Sequence, residues 1–134
     1  ERTTRFLIIV PLKKRDSTTV RKAFEKEFRK LPDNLKLSLT YDNGTEMAQH
    51  KTFTKNSKVK VYFAHPYSPW ERPTNENTNG LIRDYFPKGT DFNLVSKKQL
   101  KEVQNQLNER PRKTLEYESP LNTISRLYMN QNFI

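Results

Sequence analysis

The chain has 134 residues, a net charge of +10, 33% hydrophobic and 30% charged residues, and no cysteine. That length suits one compact α/β domain, 1–134, and the missing cysteines exclude disulfides and thiolate metal sites and fit a reducing cytoplasm. No apolar run approaches the roughly 20 residues that span a bilayer, and no predicted helix is basic on one face and broadly apolar on the other, so a membrane partner is not expected, whereas so basic a balance favours a polyanion such as nucleic acid.

In chain order, Phe6–Leu12 is continuously apolar and reads as a strand covered on both faces. Asp16 or Ser17 then caps a helix running to about Lys30, with Val20, Ala23, Phe24, Phe28 and Leu31 as its apolar stripe and Pro32 after its end. Leu35, Leu37, Leu39 and Tyr41 alternate with polar residues as a half-buried strand, broken by Asp42-Asn43-Gly44. A short helix is expected from Glu46 to about Lys55, and Val59, Val61 and Phe63 alternate as a third strand. His65–Pro73 reads as a loop. Asn75 to about Phe86 is helical in pattern, with Leu81, Ile82, Tyr85 and Phe86 on its apolar side. Ser96-x-x-Gln99 is a capping box that opens a helix to about Glu109. Ser119-Pro120 opens a last short helix carrying Leu121, Ile124 and Leu127. This order of elements implies an α/β layer fold.

Asp42 directly follows a strand, where a carboxylate is well placed for a site in an open α/β sheet; Asp-Asn-Gly is equally ordinary turn chemistry. Glu76 opens a helix, where the dipole favours a carboxylate in any case. Asn79, Gly80 and Arg83 share its face. Such a stripe has little apolar surface to bury, so it is solvated or functional. Gly80 in mid-helix costs about 1 kcal/mol relative to alanine, which close approach of a ligand, another backbone or tight packing would explain.

Three runs stand in order: Tyr41-Asp42-Asn43-Gly44-Thr45-Glu46, Tyr62-Phe63-Ala64-His65-Pro66-Tyr67-Ser68-Pro69-Trp70-Glu71-Arg72, and Asn75-Glu76-Asn77-Thr78-Asn79-Gly80-Leu81-Ile82-Arg83. With Tyr85–Phe92 and Leu107–Leu115 they closely resemble the acidic-triad (DDE) transposases of the insertion-sequence-thirty family, over nearly the whole chain. The resemblance implies a ribonuclease-H-like integrase core, a mixed sheet flanked by helices. It implies metal-dependent DNA strand cleavage and strand transfer on transposon ends and target DNA, by a protein acting as a homo-oligomer. Three carboxylates in that family hold two divalent metals, magnesium or manganese, and the match makes Asp42 the second and Glu76 the third. Arg83 matches a basic residue expected to touch DNA near the cut.

Two departures stand out. Pro73 occupies a position where many members carry a small residue. The family's first aspartate lies on a strand upstream of the segment resembling Glu1–Phe6, so the chain is expected to be a piece lacking its first strand or strands, inactive alone; Asp16 reads as a helix cap, not a substitute ligand. In the loop, Tyr67 and Trp70 near Arg72 suit stacking on distorted DNA, or Trp70 anchors the loop to the core. Arg72, Arg83 and Lys88, with Trp70 and Asn79, form the expected DNA-facing set. Arg110-Pro111-Arg112-Lys113 is a phosphate-contacting patch or a solvated turn, and His50 and His65 lack ligand spacing. The competing reading is a non-catalytic DNA-binding or assembly module of a transposase.

Overall fold

The structure, a computed structural model, describes residues 1–42, 44–68, 70 and 73–129. It is mixed α/β and divides into two compact units, one formed by Leu12–Glu71 and the other by Glu1–Pro11 with Arg72–Ile134.

The Leu12–Glu71 unit is built on a parallel strand–helix–strand motif. Its first helix, α1 (Ser17–Arg29), starts where the Asp16 side chain accepts a hydrogen bond from the Thr19 N–H, satisfying one of the donors that a helix start leaves free. The α1 stripe of Val20, Phe24 and Phe28 packs on Met47, Phe53 and Val59, with Leu39, Tyr41 and Val61 around them. Phe24 meets Tyr41 edge-on at 6.0 Å and Phe28 meets Phe53 at 5.6 Å, geometries that aromatic quadrupoles favour. Strand β1 (Ser38–Tyr41) leads through a short helical turn into α2 (His50–Ser57) and back to β2 (Lys60–Phe63). The two strands are parallel and in register, Ser38 opposite Lys60 and Tyr41 opposite Phe63. A parallel pair needs such a crossover, because no tight turn can return the chain to the same end.

β1 is shorter than the alternation Leu35–Tyr41 suggests. Pro32 opens a 3-10 turn over Asp33–Leu35, which takes Leu35 out of the extended conformation, and Leu37 is left 73% exposed. Leu39 and Tyr41 keep the inward positions.

Among the described residues, the α-helices of the other unit are α3 (Pro73–Tyr85), α4 (Lys97–Glu109) and α5 (Pro120–Ile124), the last continuing into a π-helical turn, Ser125–Met129. Ser96 and Gln99 form the full capping box at the head of α4, and Ser119 caps α5 ahead of Pro120. The core is Phe86, Leu100, Val103 and Leu107, joined by Leu7, Ile9, Leu81, Ile82, Tyr85 and Val95.

Leu7 and Ile9 mark the largest departure from the sequence reading. Phe6–Leu12 is not a strand of a sheet. The side-chain amide of Asn108 accepts from the Leu7 N–H at 2.8 Å and donates to the Leu7 carbonyl at 2.9 Å. Gln104, one turn earlier on α4, accepts from the Ile9 N–H at 2.9 Å. Two buried amides on one helix face thus do for this backbone what a neighbouring strand would do, and buried N–H and C=O groups need some such partner. Nor is the segment covered on both faces: Leu7 and Ile9 turn inward, while Ile8, Val10 and Leu12 stay exposed.

Candidate functional site

Asp42 follows the last residue of β1 and is exposed. The Ala64 N–H donates to the Tyr41 carbonyl at 2.9 Å, which carries the pairing of the two strands up to the residue before Asp42. The carboxylate therefore stands at the carboxyl end of a parallel pair, where strand ends in α/β sheets present ligand-binding groups. Among the residues near it is Gly44, which has ordinary extended torsions, φ −88 and ψ 146. Its lack of a side chain matters for another reason: a Cβ there would lie 3.0 Å from Asp42 Oδ1 and would collide with Glu46 Oε2. Gly44 is thus the gap into which two carboxylates lean.

Glu46 was quoted in the motif but given no role by the sequence reading. Its carboxylate takes a hydrogen bond and ion pair from Arg15 at 2.8 Å. Its own backbone N–H, and then Arg15, hold its carboxyl below the usual glutamate range. The signal available in the sequence was its place two residues beyond Gly44, but only the turn Thr45–Met47 brings the two side chains to one glycine.

Glu76 lies in the first turn of α3 and is exposed, as are Asn79, Gly80 and Arg83 on the same helix. An added Cβ at Gly80 meets nothing within 4 Å, so packing does not account for that glycine. The Arg83 guanidinium reaches the Phe86 carbonyl at 3.4 Å, at the carboxyl end of its own helix, where a cation offsets the dipole. Lys88 is exposed in the turn that follows. Trp70 is 72% exposed and Tyr67 98%, so Trp70 does not anchor its loop in a core. Arg72 lies outside the described residues.

Asp16 is the cap it was expected to be. Thr19, through its backbone N–H at 2.9 Å and then its hydroxyl at 2.8 Å, holds the Asp16 carboxyl below the usual range. His50, at the start of α2, directs Nδ1 at the Met47 carbonyl at 3.1 Å and lies edge-on to Phe63, the environment of an ordinary packed histidine. Among the described residues no three His, Cys, Asp or Glu side chains gather closely enough to hold a metal ion. The donor chemistry of Asp42 nevertheless fits a hard divalent cation, which takes carboxylate oxygens and, if magnesium, keeps several waters. Asp42 belongs to one unit and Glu76 to the other.

No family model matches the chain. It is 50% identical over 126 residues to the transposase InsI for insertion sequence element IS30A of Escherichia coli (strain K12), which covers 94% of this chain and 33% of the relative. It is 41% identical over 130 residues to the transposase for insertion sequence element IS1086 of Cupriavidus metallidurans, 97% of this chain and 38% of that one. The transposase for IS4351 of Bacteroides fragilis is 48% identical over 101 residues, 75% of this chain and 31% of its own. The chain spans about a third of the length of these relatives.

Proposed function

The chain belongs to the IS30 family of transposases, and on that premise we propose that it supplies two of the three acidic residues of a DDE-type catalytic core. In this reading the core has the ribonuclease-H-like fold, cleaves DNA at transposon ends, and joins the freed 3′-ends to target DNA. Its partners are transposon ends, target DNA and further copies of the protein.

Asp42 and Glu76 would hold the divalent metal, magnesium or manganese, which when bound activates a water or a DNA 3′-hydroxyl and stabilises the leaving oxygen. The chain's own residues do the rest. β1 presents Asp42 at its carboxyl end, and Gly44 leaves the space that Asp42 and Glu46 use. Arg15 draws the Glu46 carboxylate toward itself, so Glu46 flanks Asp42 with its own charge already paired. On α3, Asn79 and Gly80 leave an open face between Glu76 and Arg83, along which a phosphate backbone can lie close. Arg83, Lys88 and Arg72 neutralise phosphates, and the exposed Trp70 ring offers a stacking face to an unpaired base.

The observation that carries the proposal is Asp42 itself: an exposed carboxylate at the end of a parallel strand pair, beside a glycine whose missing Cβ leaves the room that Asp42 and Glu46 occupy. It is tested by exchanging this segment for the matching third of the Escherichia coli relative and measuring transposition frequency. Asp42→Asn and Glu76→Gln should each reduce transposition by at least about a thousandfold, as loss of a group essential to the chemical step does, while leaving DNA binding in place. Transposition undiminished by either change would leave the segment a binding or assembly module.

A further inference from the structure

In the unit that carries Glu76, Arg5 and Arg110 lie close enough to Arg112 for their charges to act on it, and among the described residues none of the three is paired with a carboxylate. Arg5 donates to the Thr74 hydroxyl in the first turn of α3. Arg110 donates to the Tyr85 hydroxyl at 2.7 Å, at the last residue of α3. Arg112 senses both: burial, then the charges of Arg110 and Arg5, lower its pKa, and only Tyr85 acts in the other direction. Each guanidinium has a neutral partner, and no carboxylate of the described residues pairs with any of the three.

The cluster is held in place by its backbone. Arg112 is fixed from both sides, its N–H donating to the Glu118 carbonyl at 3.1 Å and its carbonyl accepting from Tyr117 at 2.8 Å. That closure puts Glu116 and Tyr117 at φ 54 and 66, and Arg5 sits at φ 62, a region that non-glycine residues enter only when surrounding structure holds them there. The Arg112 side chain spends one Nη2 hydrogen bond on the Leu107 carbonyl at 2.9 Å. Its Nε is buried and has no partner among the described residues, although a buried donor without an acceptor is costly. Like charges gathered without a paired carboxylate are relieved by an anion.

We propose that Arg5, Arg110 and Arg112 form a seat for successive phosphates of a DNA backbone alongside α3, apart from the Arg83 contact. The proposal rests on the reading of DNA as the partner. Guanidinium groups suit the task because their planar forks match phosphate oxygens bidentately. With Arg5 tied to Thr74, two residues before Glu76, a phosphate held here fixes the strand relative to the turn that presents that glutamate.

The test is fluorescence anisotropy of this chain with a labelled duplex over a range of salt, with melting curves to verify folding. Arg5→Gln and Arg110→Gln should each flatten the log–log salt slope by about one unit and weaken binding about tenfold at roughly 0.1 M salt, the effect of one lost phosphate contact. Arg110→Lys, which keeps the charge but not the fork, should preserve the slope and weaken binding a few-fold. Lys98→Gln, on the exposed first turn of α4, removes the same charge away from the cluster and should change the slope by much less. If the two arginine variants behave like Lys98→Gln, the seat is overturned while DNA stands as the partner. If the unaltered chain shows no salt-dependent binding at all, DNA as partner fails and the seat with it.

Discussion

Gly44→Ala separates what the turn after β1 does for stability from what it does for chemistry. Gly44 has torsions that any residue adopts, so alanine brings no backbone strain. By narrowing the unfolded ensemble it would by itself stabilise the fold by about 0.4–1 kcal/mol. Against this, the new methyl collides with Glu46 Oε2 and stands 3.0 Å from Asp42 Oδ1. The Glu46 carboxylate is the half-buried end of a flexible side chain and can swing away, giving up its pair with the exposed Arg15; pairs with one partner in solvent contribute little. Asp42 has less freedom, because its backbone follows directly on the paired strand. The net change in stability is therefore within about 1 kcal/mol of zero, in either direction. The carboxylate pair, by contrast, is spread apart. Urea unfolding of the variant should give a midpoint close to that of the unaltered chain, and the exchanged transposase carrying Gly44→Ala should lose at least about a hundredfold in transposition, the scale on which a misplacement of an ångström acts. A variant that transposes normally, or that fails to fold, would refute the reasoning.

Gly80→Ala should stabilise the chain by about 1 kcal/mol, because the site is helical and its Cβ meets only open space; a lower melting temperature would contradict this. Asn108→Ala leaves both the N–H and the C=O of Leu7 without their side-chain partner. It should cost about 2–4 kcal/mol and speed hydrogen exchange at the Leu7 amide, and an unchanged unfolding midpoint would show that the clamp is unimportant. The carboxyls of Asp16, Glu25, Glu46 and Glu118 are all held below their ordinary values. A lowered folded-state pKa gives stability that is present above the unfolded value and lost as pH falls through the folded one. Urea midpoints should accordingly hold steady from about pH 7 to about pH 5 and drop below about pH 4, and a midpoint rising with acid would contradict the assignment of these contacts.

The helices were legible because their signals are local. Asp16 before α1, the Ser96–Gln99 box before α4 and Ser119-Pro120 before α5 each act within four residues, and each is found as read. The segment 6–12 was not, because its apolar run says only that it is extended and partly buried. Its backbone partners, Gln104 and Asn108, lie 95 and 101 positions away, and nothing in a helix's polar residues announces that they will serve as a surrogate strand. Leu37 was misplaced for a related reason: alternation suggested a strand from Leu35, but the turn begun at Pro32 consumes its first residues. In the site, the position of Asp42 at a strand end was visible from the break after Tyr41. The approach of Glu46 was not, since contact across a glycine in a helical turn follows no strand or helix period. The arginine seat joins residue 5 to residues 110 and 112, and only the latter two stood out, within the run Arg110-Pro111-Arg112-Lys113.

The central claim is that Asp42 and Glu76 serve one metal site. Manganese added to this chain at substoichiometric levels broadens the amide signals of residues near a bound ion, and it can be followed residue by residue by NMR. The account predicts that the signals of residues 42–46 and 74–77 broaden together and first, and that Asp42→Asn abolishes the effect in both stretches while Asp16→Asn leaves it intact. Broadening confined to one stretch, or surviving in residues 74–77 when Asp42 is changed, would contradict it.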